Sequence, residues 1–123
     1  QHVSLPIPGD VESIAVARRF YGDVLGLEEI ARPDVFPAAG LWYGLGDQEL
    51  HLFGEPSGVA ANAESLRHPC FEVEDVDALR KHLEITGVPT RDDDGEIPGR
   101  ARFFGLDPFG NTLEFVHFAA DHW

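Results

Sequence analysis

Apolar and polar residues alternate at the start of the chain. Val3, Leu5 and Ile7 fall on one side and His2 and Ser4 on the other, the period of a half-buried strand. Pro6 and Pro8 are expected to end it. Asp10 is placed to cap a helix whose apolar stripe is Ile14, Ala17, Tyr21 and Val24, and Gly26 supplies its stop. Short strands are predicted near 27–31, 41–46 and 49–53. The succession then recurs. Phe71 and Val73 form the apolar side of a strand expected to begin at His68. Asp75 caps a helix with the stripe Val76, Leu79 and Leu83, and Gly87 ends it. Strands are predicted near 88–91, 101–106 and 112–117, with Asp107-Pro108-Phe109-Gly110-Asn111 as a tight turn between the last two.

Each copy reads strand–helix–strand–strand–strand. The pattern predicts an α+β chain of two tandem βαβββ modules, 1–54 and 66–123, joined by a linker at 55–65 rich in Gly, Pro, Ser and Ala. Together they make a single domain with an open, barrel-like mixed sheet around a central cleft and the helices outside. One helix covers only one sheet face, so the second copy is expected to close the other.

Polar residues recur with the fold. His2 answers to His68, and Leu50-His51-Leu52 answers to Leu113-Glu114-Phe115 if the second copy has a turn longer by two residues. Trp42-Tyr43-Gly44-Leu45 answers to Phe103-Phe104-Gly105-Leu106. Side chains alternate faces along a strand, so His2, His51, His68 and Glu114 are all expected on the faces turned away from the helices. Three imidazoles and a carboxylate suit one divalent transition metal, Zn, Ni, Fe, Co or Mn. Such an ion would stabilise negative charge on a substrate oxygen. Glu49 shares the face of His51 and is the candidate general base. Trp42, Phe53 and Phe103 are expected to border the cleft and meet a small-molecule substrate. Arg100 and Arg102 could meet a carboxylate or phosphate, or pair with the Asp92-Asp93-Asp94 cluster. His82, His117 and His122 are read as structural or solvated, and Cys70 as a small packed residue rather than a nucleophile.

Composition narrows the partners. A net charge of −13 opposes binding to a phosphate backbone, so no nucleic-acid partner is expected. No apolar run is long enough for a membrane helix, and no signal peptide is visible at the start. The chain holds no Met, so its native start is expected to differ from Gln1. The single cysteine excludes an intrachain disulfide and suggests a cytoplasmic location.

Three segments carry a family likeness. "ARRFYGDVLGL" after the first strand, "HPCFEVEDVDAL" opening the second module and "DPFGNTLEF" near the end together resemble the vicinal oxygen chelate superfamily. That group includes glyoxalase I, bleomycin-resistance proteins, fosfomycin-resistance enzymes, methylmalonyl-CoA epimerase and extradiol dioxygenases. The resemblance covers nearly the whole chain and implies two βαβββ modules around a metal, usually in a homodimer. The family's metal positions match His2, His51, His68 and Glu114. Glyoxalase I carries a glutamate where this chain has His51. Extradiol dioxygenases and fosfomycin-resistance enzymes use a triad matching His2, His68 and Glu114, which leaves His51 as an acid or base beside the metal. The dioxygenases also have a tyrosine where this chain has Phe103 or Phe104. The resemblance implies a metal-dependent enzyme of the glyoxalase/dioxygenase type, a lyase, isomerase or dioxygenase; His51 and Glu114, together with Glu49 from its shared face, are the candidate catalytic residues. The alternative it implies is a metal-free protein that sequesters a small molecule, as bleomycin-resistance proteins do.

Overall fold

Hydrophobic alternation and helix capping give each half of the chain the same order of elements. The computed structural model describes residues 1–36, 38–55, 66–93 and 95–119. The chain falls into two compact units, Gln1–Ala61 and Asn62–Trp123. The first contains β1 (His2–Pro8), α1 (Val11–Arg18) running into a π-helical segment (Arg19–Val24), β2 (Glu28–Ile30), β3 (Gly40–Leu45) and β4 (Gln48–Glu55). The second contains β5 (Cys70–Glu72), α2 (Val76–Ile85), β6 (Thr90–Asp92), β7 (Arg100–Leu106) and β8 (Thr112–Phe118). The sheets have the orders β1-β4-β3-β2 and β5-β8-β7-β6. In each, the first strand lies parallel to the last and the other pairings are antiparallel. The fold is α+β, built from two βαβββ modules. Of the linker expected at 55–65, residues 56–65 lie outside the described residues, and Glu55 belongs to β4 instead.

Local chemistry starts and stops the helices. Asp10 accepts a hydrogen bond from the Ser13 backbone N–H at 2.8 Å, and Asp75 accepts one from that of Ala78 at 3.0 Å. Gly26 and Gly87 follow the helices with φ of 76° and 86°, a conformation that other residues adopt at a cost. In the first unit, Ala17, Phe20 and Tyr21 pack against the sheet side formed by Leu5, Ile7, Leu41, Tyr43, Leu50 and Leu52, all buried. The predicted stripe did not include Phe20. The chain widens after Arg18, and Leu25 N–H bonds back to the Phe20 carbonyl, five residues earlier. That winding turns two adjacent residues inward. In the second unit, Leu83 covers Phe103, Leu113 and Phe115, and the Phe115 ring stacks with those of Phe103 and Phe71.

Three expectations change. Pro6 does not end β1, which runs through to Pro8; β1 is an edge strand, where a missing N–H is tolerated. β5 begins at Cys70 rather than His68, because Pro69 has no N–H to pair, although its carbonyl accepts from Glu114 N–H at 3.0 Å. The third concerns parity. The β3–β4 connection is Gly46-Asp47, and the β7–β8 connection is the five-residue turn 107–111, so the loops differ by an odd number of residues. An odd difference flips the side-chain face. His51 is paired with Trp42, whereas Glu114 is paired with Phe104. Phe104, not Phe103, is therefore the counterpart of Trp42.

The longer turn has its own anchor. Asp107 is buried and accepts from Phe109 N–H (2.9 Å) and Asn111 N–H (2.8 Å) through one oxygen, and from Asn111 Nδ2 (2.8 Å) through the other. Asp107→Ala leaves these donors unmatched and is expected to lower stability by about 1–3 kcal/mol, read as a fall in the urea midpoint at unchanged m-value.

Candidate functional site

β8 places Glu114 on the face opposite Leu113 and Phe115, where it is 8% exposed. A carboxylate so enclosed needs partners. Its two oxygens are served separately. Oε1 lies 2.9 Å from His68 Nε2. Oε2 accepts from Cys70 Sγ at 3.2 Å and, more weakly, from Arg102 Nη1 at 3.5 Å. Burial alone would raise the Glu114 pKa. The hydrogen bonds from Cys70 and His68 and the charge of Arg102 outweigh it, so the carboxyl titrates below its ordinary value. The same contact works in reverse on the cysteine. Burial of the sulfur and the adjacent carboxylate push the Cys70 thiol up to about 12, so it stays protonated and donates.

His68 is fixed from its other side as well. Its Nδ1 lies 2.8 Å from the Leu66 carbonyl oxygen, and its ring meets the Phe104 edge at 5.4 Å. Both nitrogens thus face acceptors, a carbonyl and a carboxylate. A neutral ring carries one N–H and satisfies only one of them. With Nδ1–H donated to the carbonyl, the Nε2 lone pair confronts Glu114 unless a proton or a cation lies between.

The first unit offers a column of rings on its helix-free face. Trp42 and His51 stack at 3.8 Å with 3° between planes, and His51 and His2 stack at 4.2 Å with 19°. Strand register sets this arrangement, since Trp42 and Ser4 both pair with His51 and His2 pairs with Glu49. Glu49 Oε1 lies 2.8 Å from His51 Nε2, and hydrogen bonds from His51 and Gln1 hold the Glu49 carboxyl below its ordinary pKa. His2 Nδ1 lies 2.9 Å from Gln1 Oε1. Phe53 is 38% exposed, and parity puts it on the same face as Glu49 and His51.

The candidate residues therefore form two groups. His68 and Glu114 meet directly, as do His2, His51, Trp42 and Glu49. Phe103 leaves the list. It is 2% exposed, stacked on Phe115 and beside Arg80 on the helix side, and Phe104 occupies the place expected for it. Arg102 takes the second of its two expected roles. It makes a two-pronged ion pair with Asp93, Nε to Oδ2 at 2.7 Å and Nη2 to Oδ1 at 2.8 Å. Arg100 lies over the Phe118 ring at 5.3 Å. His117 Nδ1 lies 3.1 Å from the Val73 carbonyl oxygen, His82 is exposed, and His122 falls outside the described residues. The sequence reading missed the Cys70–Glu114 contact, although parallel pairing of the first and last strands of the module would have set the two side by side. Among the described residues no three His, Cys, Asp or Glu side chains converge as ligands on one point. Cys70 and His68 approach Glu114 from its two separate oxygens.

Sequence and structure comparisons agree on the family. The profile of the Glyoxalase/Bleomycin resistance protein/Dioxygenase superfamily matches residues 10–115. The chain belongs to this superfamily. Within it, a glyoxalase family protein from Bacillus anthracis is 34% identical, with a TM-score of 0.83 over 97% of this chain and 93% of that one. A lactoylglutathione lyase from Agrobacterium tumefaciens is 26% identical, with a TM-score of 0.70 over 95% of this chain and 91% of that one. The fosfomycin resistance protein FosX from Listeria monocytogenes, solved as an E126Q mutant with Mn(II) and 1S,2S-dihydroxypropylphosphonic acid, shares the superfamily fold at 13% identity. Its TM-score is 0.77 over 99% of this chain and 93% of that one. No curated protein matches the sequence significantly.

The lowered pKa of Glu114 has a measurable sign. A carboxyl depressed in the folded state stabilises above its unfolded value, near 4.5, and that contribution is lost as pH falls through the folded value. In metal-free protein, the stability gap between wild type and Glu114→Gln is expected to narrow as pH falls from about 6 to about 3, followed by urea midpoints.

Proposed function

We propose that this superfamily member is a metal-dependent enzyme of the glyoxalase/dioxygenase type, acting on a small substrate that chelates through oxygen. The observation that carries the reading is the His68–Glu114 pair. Its facing nitrogen and oxygen are 2.9 Å apart. Two ligand atoms bound at about 2.1 Å to one octahedral ion are roughly 3 Å apart, so the spacing suits adjacent ligands. A metal-binding imidazole commonly donates its other N–H to a carbonyl, and the Leu66 carbonyl is in place for that. The donor set therefore fits a divalent transition metal among Zn, Ni, Fe, Co and Mn.

His68 and Glu114 are the proposed ligands, and both belong to the second unit. His51 was expected among the ligands, but its ring is held flat between Trp42 and His2, and its Nε2 is engaged by Glu49. In-plane lone pairs on two nearly parallel rings do not point at one position. His51 is therefore proposed to orient His2 and to pass a proton to or from Glu49. When bound, the ion would act as a Lewis acid toward a substrate oxygen and stabilise negative charge there. Glu49, ionised at neutral pH through its bonds to His51 and Gln1, is the proposed general base. Trp42 and Phe53 offer the apolar surface against which a small substrate would lie.

Elemental analysis after incubation with Ni, Zn, Fe or Mn salts is expected to find close to one transition metal per chain. His68→Ala and Glu114→Ala should each remove it while circular dichroism stays that of the wild type. Wild-type protein that retains no metal under any of these conditions would overturn the reading in favour of a metal-free binding protein.

A further inference from the structure

We infer that Arg102, clamped by Asp93, is a positioning residue that holds Glu114 ready to bind a metal through one oxygen only. The inference rests on the ligand role proposed for Glu114.

The two oxygens of the Glu114 carboxylate have different partners. Oε1 faces His68 Nε2, while Oε2 is occupied by Cys70 Sγ and Arg102 Nη1. A carboxylate with both oxygens open can swing between one-oxygen and two-oxygen binding. One whose Oε2 already accepts two hydrogen bonds has only Oε1 to give.

Arg102 can act this way because its own plane is fixed. Asp93 engages Nε and Nη2 in a fork, which settles the direction in which Nη1 points. The three side chains are enclosed, at 20% exposure for Arg102, 12% for Asp93 and 10% for Glu114. Asp93 is itself tied, since its Oδ1 also accepts from Gly95 N–H at 3.1 Å. The chain of contacts thus runs from the segment between β6 and β7, through a planar cation, to the carboxylate on β8. At 3.5 Å the last contact is a weak hydrogen bond, so Arg102 acts through its charge and its direction rather than through bond strength. One guanidinium separates two carboxylates. Without it, Asp93 and Glu114 would be left close together with no cation between them, and Glu114 would turn away from its present pose.

The test measures metal binding, not turnover. Affinities for Ni(II) and Mn(II) are determined by chelator competition for wild type, Arg102→Met, Asp93→Asn and the double variant. The visible spectrum of Co(II)-loaded protein reports ligand geometry, and the melting temperature of metal-free protein reports folding. Arg102→Met is expected to weaken metal binding about 10–100-fold and to change the Co(II) spectrum. Asp93→Asn, which keeps the cation but loosens its clamp, should weaken binding in the same direction. The double variant should be no worse than Arg102→Met alone, because Asp93 acts through Arg102. If Arg102→Met fails to fold, Asp93→Asn decides the matter. Wild-type affinity and an unchanged Co(II) spectrum in whichever variant folds would overturn the inference while leaving the metal site standing. A wild type that binds neither metal would end the proposed function, and this inference with it.

Discussion

An ionised carboxylate is costly to enclose, and Glu114 is enclosed in the middle of a sheet. Much of the second unit's polar architecture follows from that constraint. His68, Cys70 and Arg102 come from two separate stretches of chain, and each delivers a donor or ring nitrogen to one carboxylate oxygen. Two come from the segment that pairs in parallel with β8 and the third from the antiparallel neighbour β7. Only a strand flanked on both sides can collect partners this way, and β8 has β5 and β7 as neighbours. The topology thus explains why the carboxylate sits on β8 and not on an edge strand.

The first unit answers the same geometric position differently. His51 is central on β4 as Glu114 is on β8, but an imidazole is cheaper to bury than a carboxylate. It is accordingly supported by ring faces, Trp42 on one side and His2 on the other, with Glu49 as its single polar contact in this group. The duplicated scaffold therefore carries two unlike supports. Charge and hydrogen bonds hold the second, while stacking and one carboxylate hold the first. Stacked rings fix the plane of an imidazole, whereas hydrogen bonds fix which carboxylate oxygen is left open.

Much of this was legible before any coordinates. Alternation in "HVSLPIP", "ELHLF" and "TLEFV" gives the faces correctly, and Asp10, Asp75, Gly26 and Gly87 mark the helix ends. The failures share a cause, which is that sequence likeness does not count hydrogen-bond register. Matching "WYGL" to "FFGL" is good motif alignment, yet the turn held by Asp107 adds an odd number of residues and turns Phe103 inward. The π-helical turn at Arg19–Val24 was hidden for a similar reason, since a stripe at 3.6-residue spacing cannot reveal a local change of winding. The expectation that Cys70 is no nucleophile agrees with its raised thiol pKa, but its contact with Glu114 was hidden because the two lie 44 residues apart.

Charge placement is the last piece. The chain carries −13 overall and only nine Lys and Arg residues. Three of those, Arg91, Arg100 and Arg102, belong to β6 and β7 and share the side of Phe104, with Arg91 and Arg102 at 4.1 and 5.6 Å from its ring centre. Arg102 is balanced there by Asp93 and Glu114, so cation and carboxylate are matched around it within an acidic protein. Salt screens exposed charges beyond about 8–10 Å, which leaves the local balance to decide what can approach. On a face so balanced, the charge of a single added cation is not cancelled by its surroundings. It would set the sign of the field felt by an oxygen nearby.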